Sequence, residues 1–404
     1  AFVAYIEYIV NMVWPVKLAV LYPHPGNSLP IWKGVVTGLV MVLITVLVIR
    51  KARKIPYLAV GWFWYIVTLI PVIGIVQVGS QAMADRYTYI TLIGLFVIIA
   101  WGANDLLSKW LHREKSFGTL AAIILPILIV LTWKQVQYWE DSITLYKHTL
   151  KHTSNNVHIH NNLGNVLKKQ GRTEEAIKHY LQALRLKPDY VKAHYNLGIA
   201  YADSGMHKEA IDKYKQVIRI DPDNAWAHNN LSNAYGALGM YKEAIEECKK
   251  AIRINPDIAV THYNLGNTYG ESGMYKEAIE AYKQVIRINP DFADAHSNLG
   301  YAYLSSSMHK EAIEAYKQVI RIDPDSAWAY YNLGIAFADS GMYKEAIEEC
   351  KKAIRIDPDY VKAHYNLGIA YLSLNDRGSA LEQYKILKSL DPKLAKKLFS
   401  VINN

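Results

Sequence analysis

The sequence predicts an all-α protein in two parts: a polytopic transmembrane helix bundle, then a solenoid of paired helices wound into a right-handed superhelix. Three observations carry this. Four apolar runs, each long enough to cross a bilayer, crowd the first third of the 404 residues. Beyond them a proline returns at 188, 222, 256, 290, 324, 358 and 392, a constant step of 34, and a period of that length marks stacked helical hairpins. Charge divides the same way. Up to Gln137 there are eleven Lys or Arg against four Asp or Glu, whereas the rest has 34 against 32. The basic balance therefore belongs to short loops of the membrane part and not to a nucleic-acid surface.

The stretch before Pro15 is aromatic and apolar but interrupted, which reads as an interfacial helix or the tail of a truncated span. The chain opens Ala1-Phe2 inside an apolar pattern with no signal peptide, as expected of the C-terminal portion of a longer polypeptide. Within a transmembrane region of 1–137, spans are expected at about 31–49, 56–78, 89–107 and 117–136. Pro30 and Pro56 open two of them, where a missing N–H costs nothing, while Pro71 and Pro126 fall inside and are expected to kink their helices. Eight of the ten Trp precede residue 140, and Trp32, Trp110, Trp133 and Trp139 stand near expected ends, as an interfacial aromatic belt requires.

Arg50, Lys51, Arg53 and Lys54 occupy one connection and Lys109, Arg113 and Lys115 another. The positive-inside rule puts both on the cytoplasmic side, so everything after Trp139 is expected outside the cytoplasm, across a bacterial inner membrane. Two loops would face that side. One is Tyr22-Pro23-His24-Pro25-Gly26; the other places Asp85 and Arg86 at the mouth of the third span. A plain interfacial ion pair explains the second, since charge at a membrane boundary is cheap. Its functional reading is a contact of Arg86, with Asp85, to the phosphate of a polyprenyl-phosphate sugar, which a guanidinium fork suits.

The run Ala84-Asp85-Arg86-x-x-Tyr89-Ile90-x-x-x-Gly94, followed by further spans and repeats, resembles the transmembrane and tetratricopeptide repeat containing family and its bacterial relatives. Thr91 stands where that family's pattern has proline. The resemblance implies the C-terminal portion of a GT-C-type protein O-glycosyltransferase. It transfers no catalytic residue, because the family's catalytic acid is expected in an early loop that would precede Ala1. The 404-residue chain alone is accordingly expected to perform no glycosyl transfer.

Seven full repeats occupy 157–394, opening at 157, 191, 225, 259, 293, 327 and 361. Position 7 of each is Leu, position 8 is Gly except at Ser232, and position 20 is always Ala. With the Leu-Gly-x-x-Tyr and Pro signature this is the pattern of tetratricopeptide repeats (TPRs), whose small residues let paired helices approach while leucines fill between them. Position 15 is Gly in five repeats, Ser307 in the fifth and Asn375 in the seventh. That series suits a left-handed helix cap, with Ser307 expected to be strained or rearranged. The Asp after nearly every repeat proline suits the start of the next helix. Residues 138–156 read as the second helix of a degenerate half-repeat that docks the solenoid on the fourth span, and 395–404 as a short cap.

Six repeats carry His at position 4, namely 160, 194, 228, 262, 296 and 364. Equivalent helices stand about 8 to 10 Å apart, too far to share a metal ion, so these histidines are expected to pack against a neighbouring repeat. Cys248 and Cys350, three repeats apart, are expected to be buried thiols. No metal, cofactor or nucleotide motif is present, and the repeats hold no recognisable catalytic site.

Position 6 is Asn in every repeat: Asn162, Asn196, Asn230, Asn264, Asn298, Asn332 and Asn366. Asn is mildly unfavourable in mid-helix, which leaves two readings: bonds to neighbouring helices, or a peptide-binding ladder. The ladder resembles that lining the superhelix of O-linked N-acetylglucosamine transferase, where amides grip an extended peptide backbone. Trp226 and Trp328, at position 2 of repeats three and six, are expected to border the same groove. The carboxylate clamp of chaperone-binding TPRs is not matched, since Asn161 and Asn230 stand where it needs Lys and Arg. Three functions follow: a membrane-anchored extracytoplasmic scaffold for protein or peptide partners in contact with the bilayer, a glycosyltransferase portion whose repeats select acceptor polypeptides, or a solenoid that self-associates.

Overall fold

The computed structural model describes residues 2–13, 22–23, 30–69, 81–83, 88–108 and 113–403. They fall into two compact units, Ala1–Ser204 and Gly205–Asn404. Asp85, Arg86 and Pro71 lie outside the described residues.

The first unit opens with α1 (Phe2–Val13), β1 (Tyr22–Pro23), α2 (Ile31–Lys51), α3 (Pro56–Leu69), β2 (Gln81–Met83), α4 (Thr88–Leu107) and α5 (Arg113–Gln137). Tyr5, Tyr8, Met41, Trp62, Tyr65 and Leu95 form the core of α1 to α4. Polar ends of these rings are satisfied within the bundle: Tyr5 Oη donates to the Ile66 carbonyl at 2.9 Å and Trp62 Nε1 to Thr45 Oγ1 at 3.0 Å. α3 and α4 cross at Gly61 and Gly94, where an added Cβ on either would collide with the carbonyl oxygen of the other. Small residues at such a crossing let two backbones approach where no larger side chain fits.

Helices thus form at all four expected spans, but their lengths differ. Among the described residues α2 alone is long and apolar enough to cross a bilayer unaided, while Pro56–Leu69 and Ile90–Leu106 are apolar but shorter. The described part of α3 stops at Leu69, short of the expected end. Residues Ala122–Gln137 qualify only together with the next helix, α6 (Ser142–His152), from which they are bent by 112°. Pro126 lies within α5, which is continuous through it. The elbow before α6 is fixed by Asp141, whose carboxylate accepts from the Ile143 and Thr144 amides. That cap holds the carboxyl below its usual range, chiefly through the Thr144 hydroxyl and amide. Ile143 of α6 then packs with Leu163 and Leu167 of the first repeat.

In the first unit α7 (Val157–Lys169) pairs with α8 (Thr173–Leu186), and α9 (Val191–Asp203) follows as its last helix. The second unit opens with α10 (His207–Ile220), after which α11 (Ala225–Ala237) pairs with α12 (Tyr241–Ile254) and α13 (Ala259–Glu271) with α14 (Tyr275–Ile288). The last three pairs are α15 (Ala293–Ser305) with α16 (His309–Ile322), α17 (Ala327–Asp339) with α18 (Tyr343–Ile356), and α19 (Val361–Ser373) with α20 (Arg377–Leu390). Every turn inside a pair ends on a left-handed residue, Ser307 (φ 59°) and Asn375 (φ 60°) included. Of the two expected outcomes Ser307 shows the strained one: it keeps the common turn at positive φ and is not rearranged.

The Leu and Gly positions have a steric partner in position 24. In repeats one, four and five that residue is Tyr, and its ring lies so close to Gly164, Gly266 or Gly300 that a Cβ there would stand 2.5 to 2.8 Å away. In repeat three Cys248 replaces the ring, and Ser232 replaces the glycine, accepting a hydrogen bond from Cys248 Sγ at 3.1 Å. Repeat six has the same cysteine, Cys350, but keeps Gly334, so the smaller side chain admits serine at position 8 without requiring it.

Helix starts depart from expectation. From the second repeat on the N-cap is the residue after the Pro-Asp pair, and at Asn224 and Ser326, as at Asn156 before the first repeat, its side chain accepts from a first-turn amide. The Asp residues themselves are exposed. The C-terminal helix, α21 (Pro392–Asn403), begins earlier than 395 because Asp391 caps the Lys393 and Leu394 amides and Pro392 supplies the first helical residue. It buries Ala395, Leu398 and Ile402 against the seventh repeat.

Candidate functional site

Position 6 is half-buried in every repeat, and in repeats two, four, five and seven it hydrogen-bonds a side chain of the repeat before it. Within each unit these bonds tie neighbouring repeats together. Asn196 Nδ2 donates to Asn161 Oδ1 at 3.0 Å, and Asn264 Nδ2 to Asn229 Oδ1 at 3.0 Å. Asn298 Nδ2 donates to Tyr263 Oη at 3.1 Å and to Asn267 Oδ1 at 2.9 Å. Asn366 hydrogen-bonds the hydroxyl of Tyr331, whose pKa burial nevertheless raises. Asn162 and Asn230 accept from their neighbours Asn161 and Asn229 at 3.5 and 3.2 Å. Asn332 is the exception: its Nδ2 turns back along its own helix to the Trp328 carbonyl at 2.7 Å.

Sequence reasoning singled out the Asn series but missed the residue it bonds. Position 5 reads Asn161, Tyr195, Asn229, Tyr263, Ser297, Tyr331 and Tyr365, in every repeat a side chain with an acceptor oxygen. That alternation was the available signal. A carboxamide carries two N–H groups and an oxygen, so one bond to the preceding repeat still leaves hydrogen-bonding capacity at the surface. Trp226 and Trp328 are 50% and 44% exposed, and Tyr301 is 59% exposed.

The histidines at position 4 serve the fold. Nε2 of His194, His228, His262, His296 and His364 meets the carbonyl of the proline six residues earlier, at 2.8 to 3.2 Å. Each thereby ties its helix to the loop from the preceding repeat. His228 also meets Glu247; burial, the largest influence, acts to raise that carboxyl, but His228 and Lys250 together hold it below its usual range. In repeat one, His160 Nδ1 meets His179 Nδ1 at 3.0 Å, and burial first, then His179, push His160 down to about 4. Cys248 and Cys350 are buried, and burial pushes their thiols up to about 11 and about 12.

Paired antiparallel helices that stack through a shared Leu, Gly, Ala and Pro register define an α-helical repeat protein of the protein-interaction class. The sequence model described as "TPR repeat" matches 164–205, 200–239, 233–273, 266–307, 308–341 and 336–375, and further tetratricopeptide-repeat models match 145–178 and 361–394. These matches span more than half of the chain, which belongs to the tetratricopeptide-repeat family. Human "Protein O-mannosyl-transferase TMTC1" is 27% identical over 145 residues, 35% of this chain and 16% of its own length. A crystal structure of MamA protein is 31% identical, covering 43% of this chain and 94% of that one, with a TM-score of 0.40. The C-terminal part of a TPR protein from Cytophaga hutchinsonii shares the fold at 17% identity and a TM-score of 0.52, over 59% of this chain and 98% of that one.

Proposed function

We propose that this chain is a membrane-anchored, extracytoplasmic scaffold that holds extended polypeptides in the TPR groove, with the position-6 asparagines reading the backbone. The observation that carries it is the unbroken series of seven amides, half-buried in the register described, beside exposed Trp226 and Trp328. An amide offers a donor and an acceptor to a peptide backbone at once.

Anchoring has separate support. The helices α2 and α5 expose Leu39, Leu43, Leu47, Ile123, Ile127 and Trp133, and apolar faces of that extent call for lipid. Tyr57 Oη donates to Asp105 Oδ2 at 2.8 Å, linking the two helix ends that flank the basic connections. β1 pairs with β2, linking the two connections with few basic residues. Both links suit one basic and one non-basic side. Contact of Arg86 and Asp85 with a lipid phosphate belongs to this proposal as an expectation carried by the resemblance alone. A second reading, that the chain is part of a protein O-glycosyltransferase whose repeats select acceptors, is favoured by the likeness to TMTC1.

The test uses the full chain in detergent micelles with a fluorescent pool of random decapeptides. Replacing Asn230, Asn264, Asn298 and Asn332 together by Ala is expected to weaken capture at least tenfold, about 1.4 kcal/mol. The bridging bonds of Asn264 and Asn298 add a stability loss on the order of 1 kcal/mol each, so binding is read well below the unfolding midpoint. Unchanged capture by a folded quadruple variant would leave the asparagines a purely structural role.

A further inference from the structure

Repeats four and five are joined by a network that closes on one oxygen. Asn267 Oδ1 accepts from Tyr282 Oη at 2.8 Å and from Asn298 Nδ2 at 2.9 Å. One repeat further on, both donors are kept, as Tyr316 and Asn332, but the acceptor position is Tyr301 and the position of Tyr263 is Ser297. The consequences appear at both donors. Tyr316 is 0% exposed, its ring lies over Gly300, and its hydroxyl makes no hydrogen bond. Asn332, with no partner of sufficient reach on repeat five, folds back to the Trp328 carbonyl. A buried hydroxyl left unpaired is destabilising, and repeat four shows how a single Asn avoids it. At this place exposed Trp328 meets the Tyr316 ring edge-on, with centroids 6.0 Å apart, and Tyr301 is exposed as well.

We propose that repeats five and six form a subsite for one amide oxygen of a bound polypeptide. The oxygen takes the place that Asn267 Oδ1 fills in repeat four, accepting from Tyr316 Oη and Asn332 Nδ2, while the adjoining residue of the ligand lies on Trp328. This rests on the groove reading above and says where in the groove a partner is anchored. An amide oxygen is the matching group because the acceptor it replaces is one, and it brings no charge into a buried position. A side-chain amide of Asn or Gln and a backbone carbonyl supply the same chemistry. Tyr301 covers the approach and turns aside on binding, a rotamer change available to an exposed ring.

The subsite separates stability from binding. Decapeptides selected on the full chain in micelles from the random pool are measured by fluorescence anisotropy, alongside unfolding midpoints. Tyr316→Phe removes an unsatisfied hydroxyl, so its midpoint is expected to stay or rise while affinity falls by about tenfold. Tyr301→Asn restores the missing acceptor; it is expected to raise the midpoint and weaken binding too. Tyr282→Phe, where the network is satisfied, is expected to lower the midpoint and leave affinity unchanged. Replacing each Asn or Gln of a selected peptide by Ala tells the two sources apart: loss at one position marks a side-chain amide, and loss at none marks a backbone carbonyl. If Tyr316→Phe and Tyr301→Asn bind as the native chain does, the subsite is wrong while the groove reading stands. If no decapeptide binds the native chain, the groove reading fails and the subsite with it.

Discussion

At the scale of single residues, repeats one, three, four, five and six are set by a contact between position 8 and position 24. A Cβ on Gly300 would stand 2.8 Å from the Tyr316 ring, and that ring is enclosed by packed helices. Gly300→Ala is therefore expected to destabilise the repeat by about 1–3 kcal/mol. Gly236, with nothing within 4 Å of an added Cβ, is the control: Gly236→Ala is expected to stabilise by about 0.5 kcal/mol. Urea unfolding of both variants checks the difference in sign. The Gly and Leu positions were legible in the sequence because a repeated steric need leaves a periodic residue. The pairing of Ser232 with Cys248 was not, since it links two positions sixteen residues apart through a contact that only the packed hairpin reveals. The bonds of the position-6 asparagines were hidden for a similar reason, as their partners belong to the neighbouring repeat and change identity along the chain.

At the scale of elements, α7 and α8 carry a histidine pair found in no other repeat, because position 23 is His only at His179. His160 is held down to about 4, below the roughly 6.5 of an unfolded histidine. The unfolded chain therefore takes up its proton first as pH falls. The contribution to stability is complete above about pH 6.5 and is lost progressively as the pH drops towards 4. His179 is lowered as well, by burial first and by Lys147 second, with Glu175 acting in the opposite direction. Hydrogen exchange of the α7 and α8 amides is expected to speed up between about pH 7.5 and pH 5, after correction for intrinsic rates. His160→Gln should flatten that dependence; an unchanged slope would assign it elsewhere. Element boundaries show where sequence reading stopped short. The start of α21 at Pro392 follows from Asp391 acting as a cap, whereas the same Asp-Pro pair lies in a loop between earlier repeats.

At the scale of the whole chain, membrane anchoring and the side on which the repeats lie stand as proposals, and the two native cysteines make a direct test simple. Both are buried, with thiols pushed up to about 11 and about 12. Only a minute thiolate fraction exists near neutral pH, and the thiolate is the species that reacts. A membrane-impermeant maleimide should therefore leave the native chain almost unlabelled without removing either residue. New cysteines then report topology one at a time. Ala52→Cys sits among Arg50, Lys51, Arg53 and Lys54, the connection that the positive-inside rule assigns to the cytoplasm. Asp189→Cys sits in an exposed loop between the first two repeats. With the chain expressed in a bacterial inner membrane, Asp189→Cys is expected to label in intact spheroplasts, and Ala52→Cys only after the membrane is opened. The reverse result would put the repeats in the cytoplasm. Equal labelling of both before opening would mean that no membrane separates them, and the exposed apolar faces of α2 and α5 would then need a protein partner instead of lipid.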